Sequence, residues 1–383
     1  MTTAEVYAER AVRGHTAMQA RFRRSDGLYL RDGSPRLLRL AAHLWPFTRA
    51  LVATLDLAGI ALGGPDGPGR PGRGLHAESE LAAELETLER YWDPDGPAYS
   101  SDMLGSRLGG DRYYDDNAWV GLALVGLERL RPGSGRLARA RELFQFAAAG
   151  WDRRPDMRCP GGVFWVQQGR GAGRRNHDRN TVSNAPNAQL GMHLAELGGG
   201  LGPPPGGIGP ERMYDWVNDS LDAGGDGCGP FWDKLRGDGT VDRALWSYNQ
   251  GTMIGANVLL ARRADGAGAG SARDLHLGRA ETIARRALVR YDGAWERQPA
   301  DFNAILYRNL LLLHAITADA SLREAILSAM REQADRAWEE HRDRDDLFHP
   351  GGGDGRVTLR HQAGIVSLLA LLAWEPDRYA LLA

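Results

Sequence analysis

Apolar residues recur at intervals of three and four along nearly the whole chain, with polar residues filling the positions between them. This spacing puts the apolar side chains on one face of a helix with 3.6 residues per turn. It predicts twelve helices, over roughly 3–23, 35–62, 76–92, 113–131, 135–152, 181–197, 210–223, 242–263, 271–292, 299–318, 321–341 and 356–373. Strand-type alternation is nearly absent; the exception, GGVFWVQQG at 161–169, predicts a short hairpin within a long loop. Gly/Pro-rich stretches at 63–74, 198–210, 265–270 and 349–355 read as connections between helices.

The helical segments are of two kinds. Residues 119–130, 247–261 and 362–374 are apolar most of the way round, as helices buried on both sides must be. SLREAILSAMREQADRAWEEH at 321–341 instead keeps a charged face for solvent. No shift in composition divides the chain, and no fixed period of the kind a solenoid carries is present. The expected architecture is all-α: a single (α/α)6 barrel over residues 1–383, with six inner helices ringed by six outer ones. Polar and aromatic residues flanking the inner helices would then collect in a funnel at one end of the ring.

Composition narrows the possible partners. Over 383 residues, 43% are hydrophobic and 25% charged, as in an ordinary globular enzyme. A formal net charge of -2 supplies no basic field for nucleic acid or an anionic membrane surface. Arginine carries almost all the positive charge, Lys234 being the only lysine, which reads as the base composition of a GC-rich genome. The N-terminal residues contain no apolar run of the secretory type, and VSLLALLAW at 366–374 is too short to span a bilayer. A cytoplasmic protein without a membrane span is expected. Cys159 and Cys228 are then expected as two reduced thiols, and neither has the CxxC neighbour of a metal site.

Four stretches flanking the inner helices combine carboxylates, amides and aromatic rings: Tyr113 to Trp119, Asn180 to Pro186, Trp246 to Gly251, and Asp301 to Asn303 with Tyr307 a turn later. Sugar recognition uses this mixture, flat rings against the C–H faces of a pyranose and amides or carboxylates against its hydroxyls. Asp115 and Asp116 stand side by side in YYDDNAW. Two carboxylates are the machinery of glycoside hydrolysis, one ionised to attack or stabilise the anomeric carbon and one protonated to release the leaving oxygen. Mutual repulsion would raise one pKa, while a helix N-terminus and amide donors favour the other as an anion. Read without chemistry, Asp115 is a helix N-cap, Asp116 the first helical residue, and Asn184 and Asn249 are caps or buried hydrogen-bonding groups.

YYDDNAW, NTVSNAPNAQL, MYDWVNDSL with the Gly-rich turn and PFWD that follow it, and WSYNQGTMIGA together resemble glycoside hydrolase family 76, the endo-α-1,6-mannanases. They stand in that family's order over about residues 35–374. The resemblance implies the same barrel and retaining cleavage of α-1,6-linked mannose chains, with Asp115 as nucleophile and Asp116 as acid/base. It also implies that Asn117, Trp119, Asn184, Trp246, Tyr248, Asn249 and Gln250 line the subsites beside the cleaved bond. Tyr114 and Phe302, from the same stretches, complete the candidate sugar-binding set. Neither a metal nor an organic cofactor is implied; the expected partner is an α-linked mannose oligo- or polysaccharide, from mannan or a cell-envelope glycan.

Rival readings are a sugar epimerase of the same barrel type, for which His193, His314 and His361 are the available acid/base residues, and a barrel that binds glycan without cleaving it. A terpene cyclase would need DDxxD where this chain reads DDNAW. The arginines at 170, 174, 175 and 179 in the loop 165–180 are either solvated or meet an anionic glycan.

Overall fold

The computed structural model describes residues 2–32, 40–61, 73–105, 110–155, 159–198, 202, 204–351 and 355–383. Among them are twelve α-helices: α1 (Thr3–Phe22), α2 (Leu44–Ala61), α3 (Arg73–Leu88), α4 (Tyr114–Leu130), α5 (Leu137–Ala149), α6 (Thr181–Glu196), α7 (Pro210–Leu221), α8 (Ser247–Gly266), α9 (Gly270–Tyr291), α10 (Ala300–His314), α11 (Ala320–Glu340) and α12 (Leu359–Leu371). Each expected segment is found. The start of the helix expected over 35–62 and most of the connection at 63–74 lie outside the described residues.

The two kinds of helix occupy two layers. On α11 the buried positions are Leu322, Ile326, Met330, Ala334 and Ala337, a single stripe with charged residues around the rest of the helix. On α6 every residue from Thr181 to Leu194 is buried, and on α8 every residue from Ser247 to Val258. A helix with no solvated face must be surrounded, and these are: α2, α4, α6, α8, α10 and α12 pack each on the next, and α12 returns to α2 to close the ring. The outer helices α3, α5, α7, α9 and α11 lie on α2, α4, α6, α8 and α10, while α1 lies on α12. This is the all-α double ring expected from the sequence.

Close approach within the inner ring depends on glycine. A Cβ on Gly251 of α8 would stand 2.7 Å from the Leu306 backbone of α10, and one on Gly364 of α12 would stand 2.5 Å from Ala300. Any larger residue at these positions would push α10 away from both neighbours.

The expected hairpin at 161–169 is not formed. The segment is extended but bridges to other parts of the chain: Val163 to Trp151, Phe164 to Arg179, and Val166 to Tyr113. It is thereby fastened to the start of α4 and the end of the loop before α6. Arg179 is not solvated, because it is fully buried and its Nη1 donates to the carbonyls of Cys159 and Gly161 at 2.7 and 2.8 Å. Cys159 and Cys228 are free thiols. Among the described residues no helix is long and apolar enough to cross a membrane.

Candidate active site

The inner helices all present their N-termini to one end of the ring, and their second residues converge there. Trp45 of α2, Asp115 of α4, Val182 of α6, Tyr248 of α8 and Arg360 of α12 each hold the second helical position and line one cavity of about 340 Å³. Phe302, third in α10, completes the circle, and Tyr113, Asp116, Trp119, Trp165, Asn180, Asp233 and Lys234 form the remaining wall. Side chains on successive helices at equivalent positions point the same way relative to the ring, so a closed barrel turns a repeated position into a pocket. Helix N-termini carry partial positive charge, which favours carboxylate anions at this end.

Asp115 and Asp116 are the second and third residues of α4, after an N-cap at Tyr113 that makes no side-chain capping bond. Neither aspartate therefore serves as the helix cap. The indole Nε1 of Trp165 donates to Asp115 Oδ2 at 3.1 Å, and backbone N–H groups of the first turn reach the same carboxylate. Loss of solvent in the cavity wall raises the pKa of Asp115 all the same. Asp116 is raised well above the ordinary carboxyl range, first by the same desolvation and then by the adjacent charge of Asp115. Arg49 and Arg360 oppose that rise. Arg49 is buried with its guanidinium over the rings of Trp45 and Trp119, at 4.6 and 5.3 Å. Burial and mutual repulsion thus favour a proton held on the pair, and the donors favour Asp115 as its ionised member.

A third carboxylate faces the pair. Asp233 has its pKa pushed up to about 6, by burial first; Lys234 opposes the shift, Asp242 adds to it, and Asn249 and Tyr248 oppose it. Lys234 is paired with Asp178 at 3.3 Å, and Arg360 forms a two-point pair with Asp301 at 2.8 and 3.1 Å. Both cations of the wall are therefore matched, and neither is free to hold an anionic ligand. Its apolar surface is aromatic: Trp45 packs on Trp119 at 5.8 Å, Tyr248 on Phe302 at 4.0 Å and Tyr113 on Trp165 at 4.8 Å.

Of the residues expected to contact sugar, Trp119, Tyr248 and Phe302 lie on this wall beside Asp115 and Asp116. Tyr114 does not: it is buried against α5, stacked on Phe146 at 4.5 Å. Trp246 lines a neighbouring cavity instead. Asn249 is fully buried behind Asp233.

Three of the expected amides have another role. Asn117, Asn184 and Gln250 are each the fourth residue of an inner helix and grip the backbone of the preceding loop. Asn117 Oδ1 accepts from Tyr99 N at 2.7 Å, and its Nδ2 donates to Tyr99 O at 3.0 Å. Asn184 holds Val163 N and O at 2.7 and 3.3 Å, and Gln250 holds Phe231 N and O at 2.9 and 2.9 Å. Gln362 on α12 accepts from Phe348 N at 2.9 Å, and Asn303 on α10 donates to Trp295 O at 2.9 Å. An amide pairs with a peptide group through one donor and one acceptor, so it replaces a strand partner for a loop that has none. Asn117, Asn184 and Gln250, expected beside the sugar, thus spend their amides on loop backbone.

Sequence reasoning passed over Trp45, Lys234 and Arg360, and gave no role to Asp233, the last residue of PFWD. The lone lysine, read as compositional accident, stands on the cavity wall. The usable signal was positional: each inner helix has an amide, or Phe47 in α2, at its fourth position, and two residues before it stands a cavity residue in five of the six. The histidines of the epimerase reading lie elsewhere. His193 is buried with Nδ1 2.9 Å from Arg129, His314 packs on Tyr379, and His361 faces the neighbouring cavity. Among the described residues no group of three or more His, Cys, Asp or Glu side chains is placed to hold a metal ion.

Residues 95–350 match the family model described as glycosyl hydrolase family 76. A comparison with curated proteins yields no match. Among solved structures, the fold is similar to a family 76 glycoside hydrolase (mannosidase) of Bacteroides thetaiotaomicron, at 21% identity, 96% of this chain, 98% of that chain and a TM-score of 0.75. It is also similar to an α-1,6-mannanase of Salegentibacter in an inactive form, with two adjacent aspartates replaced by asparagine and α-1,6-mannotriose bound; identity is 19%, coverage 96% and 99%, and the TM-score 0.71. A D-mannose isomerase shares the fold at 12% identity, 96% and 99% coverage and a TM-score of 0.62.

Proposed function

The chain belongs to glycosyl hydrolase family 76 and is a glycoside hydrolase, and on that premise we propose that it cleaves α-1,6-linked mannose chains with retention of anomeric configuration. The observation that carries the reading is the adjacent carboxyl pair on the cavity wall, one member fed by an indole and first-turn N–H donors and the other raised furthest by burial and its neighbour's charge. Asp116, protonated, gives its proton to the glycosidic oxygen as Asp115 attacks the anomeric carbon. The C–O bond to the leaving sugar breaks and a glycosyl ester to Asp115 forms. Asp116, now ionised, takes a proton from water, whose oxygen attacks the same carbon and frees Asp115. Two inversions restore the original anomer.

The aromatic wall and the matched cations suit an uncharged pyranose chain. The Salegentibacter relative, inactive with its adjacent aspartates replaced and holding α-1,6-mannotriose, supports both the pair and the substrate class. The histidines needed for epimerisation lie outside the cavity, which counts against that rival. The test is hydrolysis of a linkage-defined α-1,6-manno-oligosaccharide followed by proton NMR from the first minutes. The α-anomer should appear first and then mutarotate. First appearance of the β-anomer would exclude retention, and no release from any α-1,6-linked substrate would exclude the substrate.

A further inference from the structure

A second and larger cavity, of about 680 Å³, adjoins the catalytic one. The two share Arg360, and their boundary is a pair of rings: Phe302 faces the first cavity, Trp246 faces the second, and they pack edge to face at 5.7 Å. Trp246 is partly exposed and lines the second cavity.

The polar groups around this cavity select the kind of ligand. Its carboxylates are already engaged: Asp32 accepts from Leu359 N at 3.1 Å, Glu296 lies 3.5 Å from Arg336 and 3.6 Å from His341, and Asp301 is paired with Arg360. With Arg297 and Arg360 on the same wall, cations and carboxylates are interspersed, and neither an anion nor a cation is favoured. Among the described residues the ring of His361 has no hydrogen-bond partner, only its backbone N–H being bonded, to Thr358 Oγ1. Burial, with His341 and His349 nearby, keeps that ring neutral, its pKa lowered to about 4, so it offers one donor and one acceptor. The Oε1 of Gln333 on the same wall is buried and, among the described residues, also has no partner. An indole face beside neutral donors and acceptors, in a cavity of balanced charge, is a carbohydrate site.

We propose that this cavity binds a mannosyl residue of the same glycan, beyond the wall made by Arg360, Phe302 and Trp246. The ring stacks on Trp246, and its hydroxyls bond His361 and Gln333. The assignment rests on the substrate class proposed above. An α-1,6 linkage carries an extra rotatable bond at the exocyclic carbon, which lets one chain turn around Arg360 and occupy both cavities.

The test compares kcat/KM for α-1,6-manno-oligosaccharides from the biose to the octaose, in the wild type and in His361→Ala and Gln333→Leu. Each variant should lose roughly ten-fold on the long oligosaccharides, the worth of one or two hydrogen bonds, with little change on the shortest one cleaved. A loss equal at every length, or none at any length, would overturn the assignment. Calorimetric titration of an Asp115→Asn/Asp116→Asn protein with the biose and the hexaose, with and without His361→Ala, separates this cavity from the reaction. Weaker hexaose binding with unaltered biose binding upholds the cavity even where the wild type proves inactive. Hexaose binding indifferent to His361, or no binding of either sugar, overturns it.

Discussion

Asp115→Asn should abolish turnover and at the same time stabilise the fold, by an amount that depends on pH. The folded state raises the pKa of Asp115 from 3.8 to about 7, chiefly through loss of solvent. A carboxyl whose folded pKa is raised binds its proton more tightly in the folded than in the unfolded chain. It therefore brings no penalty below the unfolded value. The penalty grows as pH climbs through the interval from about 4 to about 7 and is constant above it. Three pKa units correspond to about 4 kcal/mol at about 1.4 kcal/mol each. The carboxyl keeps part of its surface open to the cavity, and the energy is shared with Asp116, so about half of that, roughly 2 kcal/mol, is the expected gain.

Asparagine fits the same space, and its amide oxygen can still accept from the Trp165 indole. For a chain of 383 residues the unfolding entropy at the midpoint is about 0.8 kcal/mol/K. The variant should then melt about 2–3 °C above the wild type at pH 8, with the difference shrinking to nearly zero by about pH 4.5. Differential scanning calorimetry across this range, paired with an assay for reducing-sugar release, reads both quantities. Parallel melting curves at all pH values, or a variant less stable at pH 8, would refute the idea that the pair is held against its own electrostatics. Retained activity would refute the role of Asp115.

Asn184→Ala should act on stability and not on sugar affinity: it leaves Val163 N and O without their partner, which costs about 1–3 kcal/mol. Urea denaturation should show that loss with KM for the oligosaccharide nearly unchanged, and the reverse pattern would return Asn184 to the sugar-binding set. Trp165→Phe removes the indole donor that favours ionised Asp115. The pKa of Asp115 should rise by about one unit, moving the acid limb of the kcat/KM profile to higher pH; an unmoved limb would mean the indole does not hold the nucleophile.

The fold was legible because its two layers bury different fractions of each helix. The stripe through Leu322, Ile326 and Met330 on α11 and the nearly continuous apolar runs of α4 and α12 are both consequences of position in the ring, and both are written in the residue pattern. The hairpin misreading at 161–169 has a definite cause: β-type residues declare an extended backbone, but not its partner. Val163 pairs with Trp151 and is completed by an amide 21 residues downstream.

The site was half legible for a related reason. Asp115, Trp119, Asn117, Asn184 and Gln250 all sit within the first turn or two of inner helices, so their composition marks the correct end of the barrel. It does not say which way each points. On a helix, the second and fourth residues are about 200° apart, so a side chain aimed into the mouth is followed two positions later by one aimed away from it. The same turn that offers Asp115 to the cavity therefore spends Asn117 on Tyr99, and the turn that offers Tyr248 spends Gln250 on Phe231. Chemistry and scaffold alternate along one short stretch. The amides resemble sugar ligands because the task is the same: each recognises a polar group with one donor and one acceptor. In this ring that group is the protein's own backbone, and the loops so anchored carry Trp165 and Asp233 to the carboxyl pair.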